Sequence, residues 1–388
     1  MFRRYLSTNL NKINNISPTL NSKLILQQRI NNGLEVYNGG LGENPLKTPN
    51  YLINKLKLNL DKKEYTNIEG TDVFQNAIKQ YYPKHLNNSI VGNGLKELIF
   101  NLSLVWQKKI FLPAPCWVTY LEDMKKLNKD YYTIKCDYKN NYKLCPNELE
   151  KSLRENNGQD SLLFLNSPNN PTGAVYNKNE YELLSTVFKK YNITVFCDEI
   201  YYNTSQVETI SLSKIYDKCI VGSSLSKDWA SGGWRFGWML FPDKLKNLHQ
   251  EMVSTGSIMY SCPTDFMNDV GSEALTNITN KEHFDKQRIF FKKIADDVLK
   301  EIDKDKKIIH STYQGAWYMW FDLKNYSSEL KLKNINNSQE LTERLAEDIG
   351  LIVVPGSCFG IEGFTFRLSM IDENIHKGIK KMIEWLNR

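Results

Sequence analysis

Four short apolar runs, at residues 110–112, 162–165, 193–197 and 219–221, each break off into an unusual polar or aromatic segment. The first meets Pro113-Ala114-Pro115-Cys116-Trp117 and the second Asn166-Ser167-Pro168-Asn169-Asn170-Pro171-Thr172-Gly173. The third runs into Asp198-Glu199-Ile200-Tyr201, and the fourth into Gly222-Ser223-Ser224-Leu225-Ser226-Lys227. Between the second and third, residues 180–190 space Tyr181, Leu183, Leu184 and Val187 as a stripe of helical period, which predicts a helix. A run without a polar face belongs to a strand covered on both sides. Alternation with helices therefore predicts an α/β fold, a largely parallel sheet between helical layers. Ligands of such sheets gather beyond the carboxyl ends of the strands, where all four segments fall.

Lys227 is the residue with the most demanding chemistry. It follows small hydroxyl residues and precedes the turn Gly232-Gly233-Trp234-Arg235-Phe236-Gly237. A free lysine is almost fully protonated at neutral pH, so imine formation requires burial or a neighbouring positive charge, which Arg235 could supply. A second anion-binding element is Gly92-Asn93-Gly94-Leu95-Lys96-Glu97-Leu98, opening an apolar helical stretch that reaches Trp106. Helix starts present free N–H groups, here those of Leu95 and Lys96, and Gly94 lets an anion approach closely.

Taken in order, these segments resemble the class I/II pyridoxal-phosphate-dependent aminotransferases of fold type I, the aspartate-aminotransferase-like group. The likeness runs from about Gly42 to Arg367, and its weight lies in several motifs in order at strand ends. The resemblance implies a large domain with a mostly parallel sheet and a smaller α+β domain. It also implies the tasks of individual residues. Lys227 would hold pyridoxal 5'-phosphate and then shuttle the substrate proton, Asp198 would pair with the ring nitrogen, and Tyr201 and Asn170 would bond the ring's phenolic oxygen. Trp117 would stack on the ring. Gly94, Leu95, Lys96, Ser224 and Arg235 would cup the phosphate, joined by Tyr65 from a neighbouring subunit, so that the active unit is a homodimer. Arg367, in Phe364-Thr365-Phe366-Arg367-Leu368-Ser369, would grip the substrate carboxylate as a two-bond fork. Gly42 would bring its backbone to the same carboxylate, although Asn44 interrupts the commoner Gly-Glu-Pro order. Lys96 matches a lysine that lies near the distal carboxylate of acidic substrates in an aspartate/prephenate subgroup.

Bulk properties narrow the remaining classes. A 388-residue chain can bury a large core and form about two domains. The expected division is a 1–44 N-terminal arm that also contributes to the small domain, a 45–285 cofactor domain, and a 286–388 small domain. The small domain would begin with a helix over 284–302 and include a strand within 314–322 and a loop at 355–360. A net charge of +6 without a basic, aromatic-interleaved block argues against nucleic acid. Seven cysteines without a CxxC pair suit a reducing compartment, and five dispersed histidines offer no metal site. No apolar stretch is long enough to span a membrane. Met1-Phe2-Arg3-Arg4-Tyr5-Leu6-Ser7 is basic like a targeting segment, but the distance to Gly42 suits an N-terminal arm, so a cytoplasmic location is expected.

The reaction expected is amino transfer between an L-amino acid and a 2-oxo acid, with an aspartate or glutamate bias. A β-lyase on the same scaffold is the alternative. A more remote one is a pyridoxal-phosphate-binding regulator, for whose DNA-binding domain the stretch before Gly42 is short.

Overall fold

The structure, a computed structural model, describes residues 18–388, and the basic segment 1–7 lies outside them. A two-residue strand, β1 (Tyr37–Asn38), pairs in parallel with β11 (Leu351–Ile352). The dominant sheet is built from β2 (Leu86–Gly92), β3 (Ile110–Ala114), β4 (Tyr131–Lys135), β5 (Leu162–Asn166), β6 (Thr194–Asp198), β7 (Cys219–Ser224) and β8 (Gly237–Pro242). Its spatial order is β2-β8-β7-β6-β5-β3-β4. Only β8 runs antiparallel to its neighbours. The third sheet orders β12 (Val354–Pro355), β13 (Thr365–Ser369), β10 (Tyr318–Asp322) and β9 (Ile309–His310) with antiparallel pairings.

Every residue of β5, β6, β7 and β8 is buried, as expected for strands covered on both faces. Alternate side chains enter opposite cores: Leu163, Leu165, Val195, Cys197 and Val221 on one side, Leu162, Phe164, Phe196 and Ile220 on the other. A separate core surrounds the small sheet, where the rings of Phe321 and Phe366 stack across β10 and β13 at 4.8 Å. The helix Asn280–Ile302 touches both sides, with Phe284 in the large core and Ile294, Val298 and Ile302 in the small one.

Several expectations are corrected. The helix Lys178–Lys190 begins earlier than residue 180, because Asn177 and Glu180 form a reciprocal capping box. Its buried stripe is Tyr181, Leu184, Val187 and Phe188, whereas Leu183 is 59% exposed, since adjacent positions diverge by about 100° on a helix. The helix expected from 284 starts at Asn280, and the strand expected within 314–322 is confined to Tyr318–Asp322. Residues 355–360 contain the end of β12 and a 3₁₀ turn, Gly356–Phe359.

Candidate active site

The parallel strands β3, β5, β6 and β7 end at one edge of the large sheet, so Trp117, Asn170, Asp198 and Ser224 with Lys227 follow there. Because β8 is antiparallel, its beginning lies at that same edge, and Arg235 two residues before it joins them. The register confirms the meeting: Gly237 pairs with both Gly92 and Ser224.

Lys227 is half-buried, and its ammonium donates to the carbonyl of Gly42. Nζ lies 5.9 Å from the centre of the Tyr201 ring and 5.6 Å from that of Trp317. Loss of water around the amine, reinforced by repulsion from Arg367, holds its pKa down to about 8, although Glu43 and Asp198 oppose the shift. About one amine in ten is then neutral at pH 7, against fewer than one in a thousand for an ordinary lysine. The environment that imine chemistry requires is present.

Asp198 ends β6 and is 3% exposed. Its Oδ2 accepts from Tyr120 Oη at 2.6 Å and its Oδ1 from the Ile200 N–H at 3.1 Å. Burial pushes its pKa up to about 6, against the pull of these two donors and of Lys227. Tyr201 Oη shares a hydrogen bond of 2.9 Å with Tyr318 Oη. Asn170 is fixed from behind, its N–H donating to Asn166 Oδ1 at 2.7 Å.

Arg367, on β13, is 2% exposed. Nη2 donates to the Gly40 carbonyl at 2.7 Å, Nη1 faces Asn170 Oδ1 at 3.3 Å, and the buried Nε has no partner. Its guanidinium stands 4.7 Å from the Tyr318 ring centre and 5.2 Å from that of Phe359. A buried arginine with an idle donor suits a planar, two-oxygen anion. Gly42 is pressed against the same tyrosine, since a Cβ there would come within 2.7 Å of Tyr318 Oη.

At the expected phosphate cup, Gly94 has φ +87° and is the N-cap of the helix Leu95–Val105, with no side-chain cap bond of its own; just before it the Asn93 N–H donates to Glu97 Oε2 at 2.7 Å. The guanidinium of Arg235 lies against this turn, donating to the carbonyls of Asn93 at 3.0 Å and Gly232 at 2.7 Å. A Cβ at Gly94 would sit 2.3 Å from Arg235 Nη2, and one at Gly237 would sit 2.3 Å from the Leu95 nitrogen. The cradle therefore exists only because both positions are glycine. Ser224 is fully buried, its Oγ accepting from the Ser226 N–H at 3.1 Å. Half-buried Trp117 meets Tyr120 edge-on at 5.5 Å, and Lys96 Nζ lies 5.2 Å from the Trp117 ring centre. Burial, and secondarily Arg235, lowers the Lys96 pKa against the pull of Asp123.

Tyr65, the remaining expected site residue, is 91% exposed. Sequence reading did not single out Tyr120, Tyr318, Trp317 or Gly40. Tyr120 alone had a local signal, three residues beyond Trp117 and so on the same helical face.

Residues 40–381 match the family model for aminotransferases of class I and II. The chain belongs to that family. It is an aminotransferase, and its relatives span nearly its whole length. A probable aspartate/prephenate aminotransferase of Rickettsia felis is 30% identical, covering 94% of this chain and 91% of its own. An aspartate aminotransferase of Sulfolobus acidocaldarius is 26% identical over 92% of this chain and 91% of its own. In fold, the aspartate aminotransferase from Thermus thermophilus with maleate superimposes with a TM-score of 0.84, covering 96% of this chain and 97% of that one at 22% identity. Among the described residues, no helix is long and apolar enough to cross a membrane, and no group of three potential metal ligands occurs.

Proposed function

We propose that this aminotransferase uses pyridoxal 5'-phosphate and takes dicarboxylic amino acids, aspartate or glutamate, as amino donors to a 2-oxo acid. The observation that carries the cofactor assignment is Lys227: an amine with its pKa held near 8, in a site that also has a buried acid and a glycine-built cradle. The residues fit the cofactor. Its phosphate suits the N–H groups of Leu95 and Lys96 with Ser224 and Arg235, its ring suits Trp117, Asp198 suits a protonated ring nitrogen, and Tyr201 and Asn170 suit a phenolate oxygen. When bound, pyridoxal phosphate supplies an aldehyde for an amine and a ring that accepts the electron pair left at the substrate Cα.

The protein's own part is positioning and proton transfer. Arg367 exchanges the Gly40 carbonyl for the substrate α-carboxylate, which also satisfies its idle Nε. Lys227 Nζ would take the Cα proton and deliver it to the carbon that the cofactor's aldehyde contributes. Asp198, buried and bonded by Tyr120, favours positive charge on the group it faces. Lys96 beside Trp117 sets a cation at the site for a distal carboxylate, in keeping with the aspartate and aspartate/prephenate names of the relatives.

We also place the active unit as a homodimer in a cytoplasmic setting. The exposure of Tyr65 suits a side chain lent to a neighbouring subunit. We also propose a 1–44 arm, a 45–285 cofactor domain and a 286–388 small domain; support comes from the separate core around the small sheet, with the helix Asn280–Ile302 as the bridge. Substrate class is tested by measuring kcat/KM for aspartate, glutamate and aromatic amino acids in the native protein and in Lys96→Ala. The variant is expected to lose about tenfold on the acidic substrates alone, roughly one exposed charge contact. An equal profile in both proteins would remove Lys96 from substrate selection.

A further inference from the structure

Lys227 is held by its main chain as well as by its amine, and the groups that hold it come from outside its loop. Asn44 is 8% exposed, and its single amide nitrogen donates twice: to the Lys227 carbonyl at 3.0 Å and to Gln287 Oε1 at 2.6 Å. Its Oδ1 accepts from the Leu46 N–H at 3.1 Å, so both ends of its side-chain amide are engaged. Gln287, fully buried on the helix Asn280–Ile302, has its orientation fixed by accepting from Asn44. Its Nε2 consequently donates to the carbonyl of Asp228, beside which His283 Nε2 lies at 2.9 Å. Two consecutive carbonyls, those of Lys227 and Asp228, are thus clamped by two coupled side-chain amides. The segment that carries Asn44 also accepts the Lys227 ammonium through Gly42, gripping the residue at both ends.

We propose that Asn44 and Gln287 are positioning residues for Lys227, a two-amide clamp that fixes the lysine's main chain so that its amine stays against the Gly42 carbonyl and between the Tyr201 and Trp317 rings. The clamp explains why an asparagine stands at 44: one nitrogen must donate to two carbonyl oxygens, which neither a proline nor an aspartate can do. The side chains of both residues bond to main-chain carbonyls and to each other. Their effect passes through the lysine, whose amine is depressed first by being kept from water and then by Arg367. This inference rests on Lys227 being the reactive amine of the proposed function.

The test uses the full chain without cofactor. Lys227 is reductively methylated with formaldehyde and cyanoborohydride across pH, and its modification is read by peptide mass spectrometry. In native protein half-modification is expected near pH 8. In Asn44→Ala and, independently, Gln287→Met, it is expected to move up by about one pH unit toward ordinary lysine behaviour. Asn44→Ser, which restores one donor, should fall between. A residue that served only global stability would lower the unfolding midpoint and leave the labelling profile of the folded protein in place. Coincident profiles for native protein and either Asn44→Ala or Gln287→Met in its folded form would overturn the clamp. The proposed function is judged separately, by amino transfer in the native protein.

Discussion

At the residue scale, charge burial is the cost of this site. Asp198 has its pKa raised from 3.8 to about 6, so the folded chain binds that proton more tightly than the unfolded chain does. The resulting stabilisation is complete below the unfolded value and fades as pH rises through 6. Above that, a buried carboxylate opposes folding by an amount on the order of 3 kcal/mol. Asp198→Asn keeps an acceptor for Tyr120 and removes the charge. Cofactor-free Asp198→Asn is therefore expected to resist urea better than native protein at pH 8, with the gap closing toward pH 4. Its amino transfer should fall by on the order of a hundredfold or more, because the fixed charge facing the cofactor ring is gone. Equal stability of the two proteins at pH 8 would show that Asp198 is not a strained acid.

At the scale of elements, the turn joining β2 to the helix Leu95–Val105 is the most sensitive part. Gly94→Ala must accommodate both φ +87° and a Cβ 2.3 Å from Arg235 Nη2. The expected result is a folded protein whose affinity for pyridoxal phosphate, followed by quenching of tryptophan fluorescence, drops about tenfold or more. Unchanged affinity would take this turn out of the phosphate site. The strands themselves were unequally legible. β5, β6 and β7, and β3 within the same sheet, read as apolar runs because both faces are covered, and their site residues follow them directly. The edge strands β2 and β4 include exposed or half-exposed polar residues, Asn87 and Asn88 in one and Thr133 and Lys135 in the other, and gave no such signal. β8 is apolar throughout, but it runs the other way, so its site residue Arg235 precedes it. Lys227, Asp198 and Arg367 could be named because the motifs came in a familiar order. Their partners could not: Tyr120 reaches Asp198 across 78 residues, Tyr318 reaches Tyr201 across 117, and Asn44 reaches Lys227 across 183. No local pattern encodes such pairs. Leu183 shows the opposite limit, an apolar residue placed in the stripe by spacing that the helix turns toward solvent.

At the scale of the whole molecule, two sheets and a connecting strap meet around one amine. The strap ties Gly40 to Arg367, Gly42 and Asn44 to Lys227, and Thr48 to the carbonyl of Ala230, so substrate clamp and reactive lysine share one support. If Tyr65 serves the neighbouring subunit, mixing inactive Lys227→Ala with a weakened Tyr65→Ala should restore activity above either parent, because each hybrid dimer regains one intact site. No recovery after subunit exchange would leave Tyr65 outside the site. The most direct measurement is a single half-reaction: protein loaded with pyridoxal phosphate is mixed with aspartate, and the oxo acid released is counted per subunit. One equivalent from the native protein, with further release only when a 2-oxo acid is added to take up the amino group, and none from Lys227→Ala, is the predicted result. Near-normal release by Lys227→Ala, or no oxo acid from a loaded native protein with any donor, would contradict it.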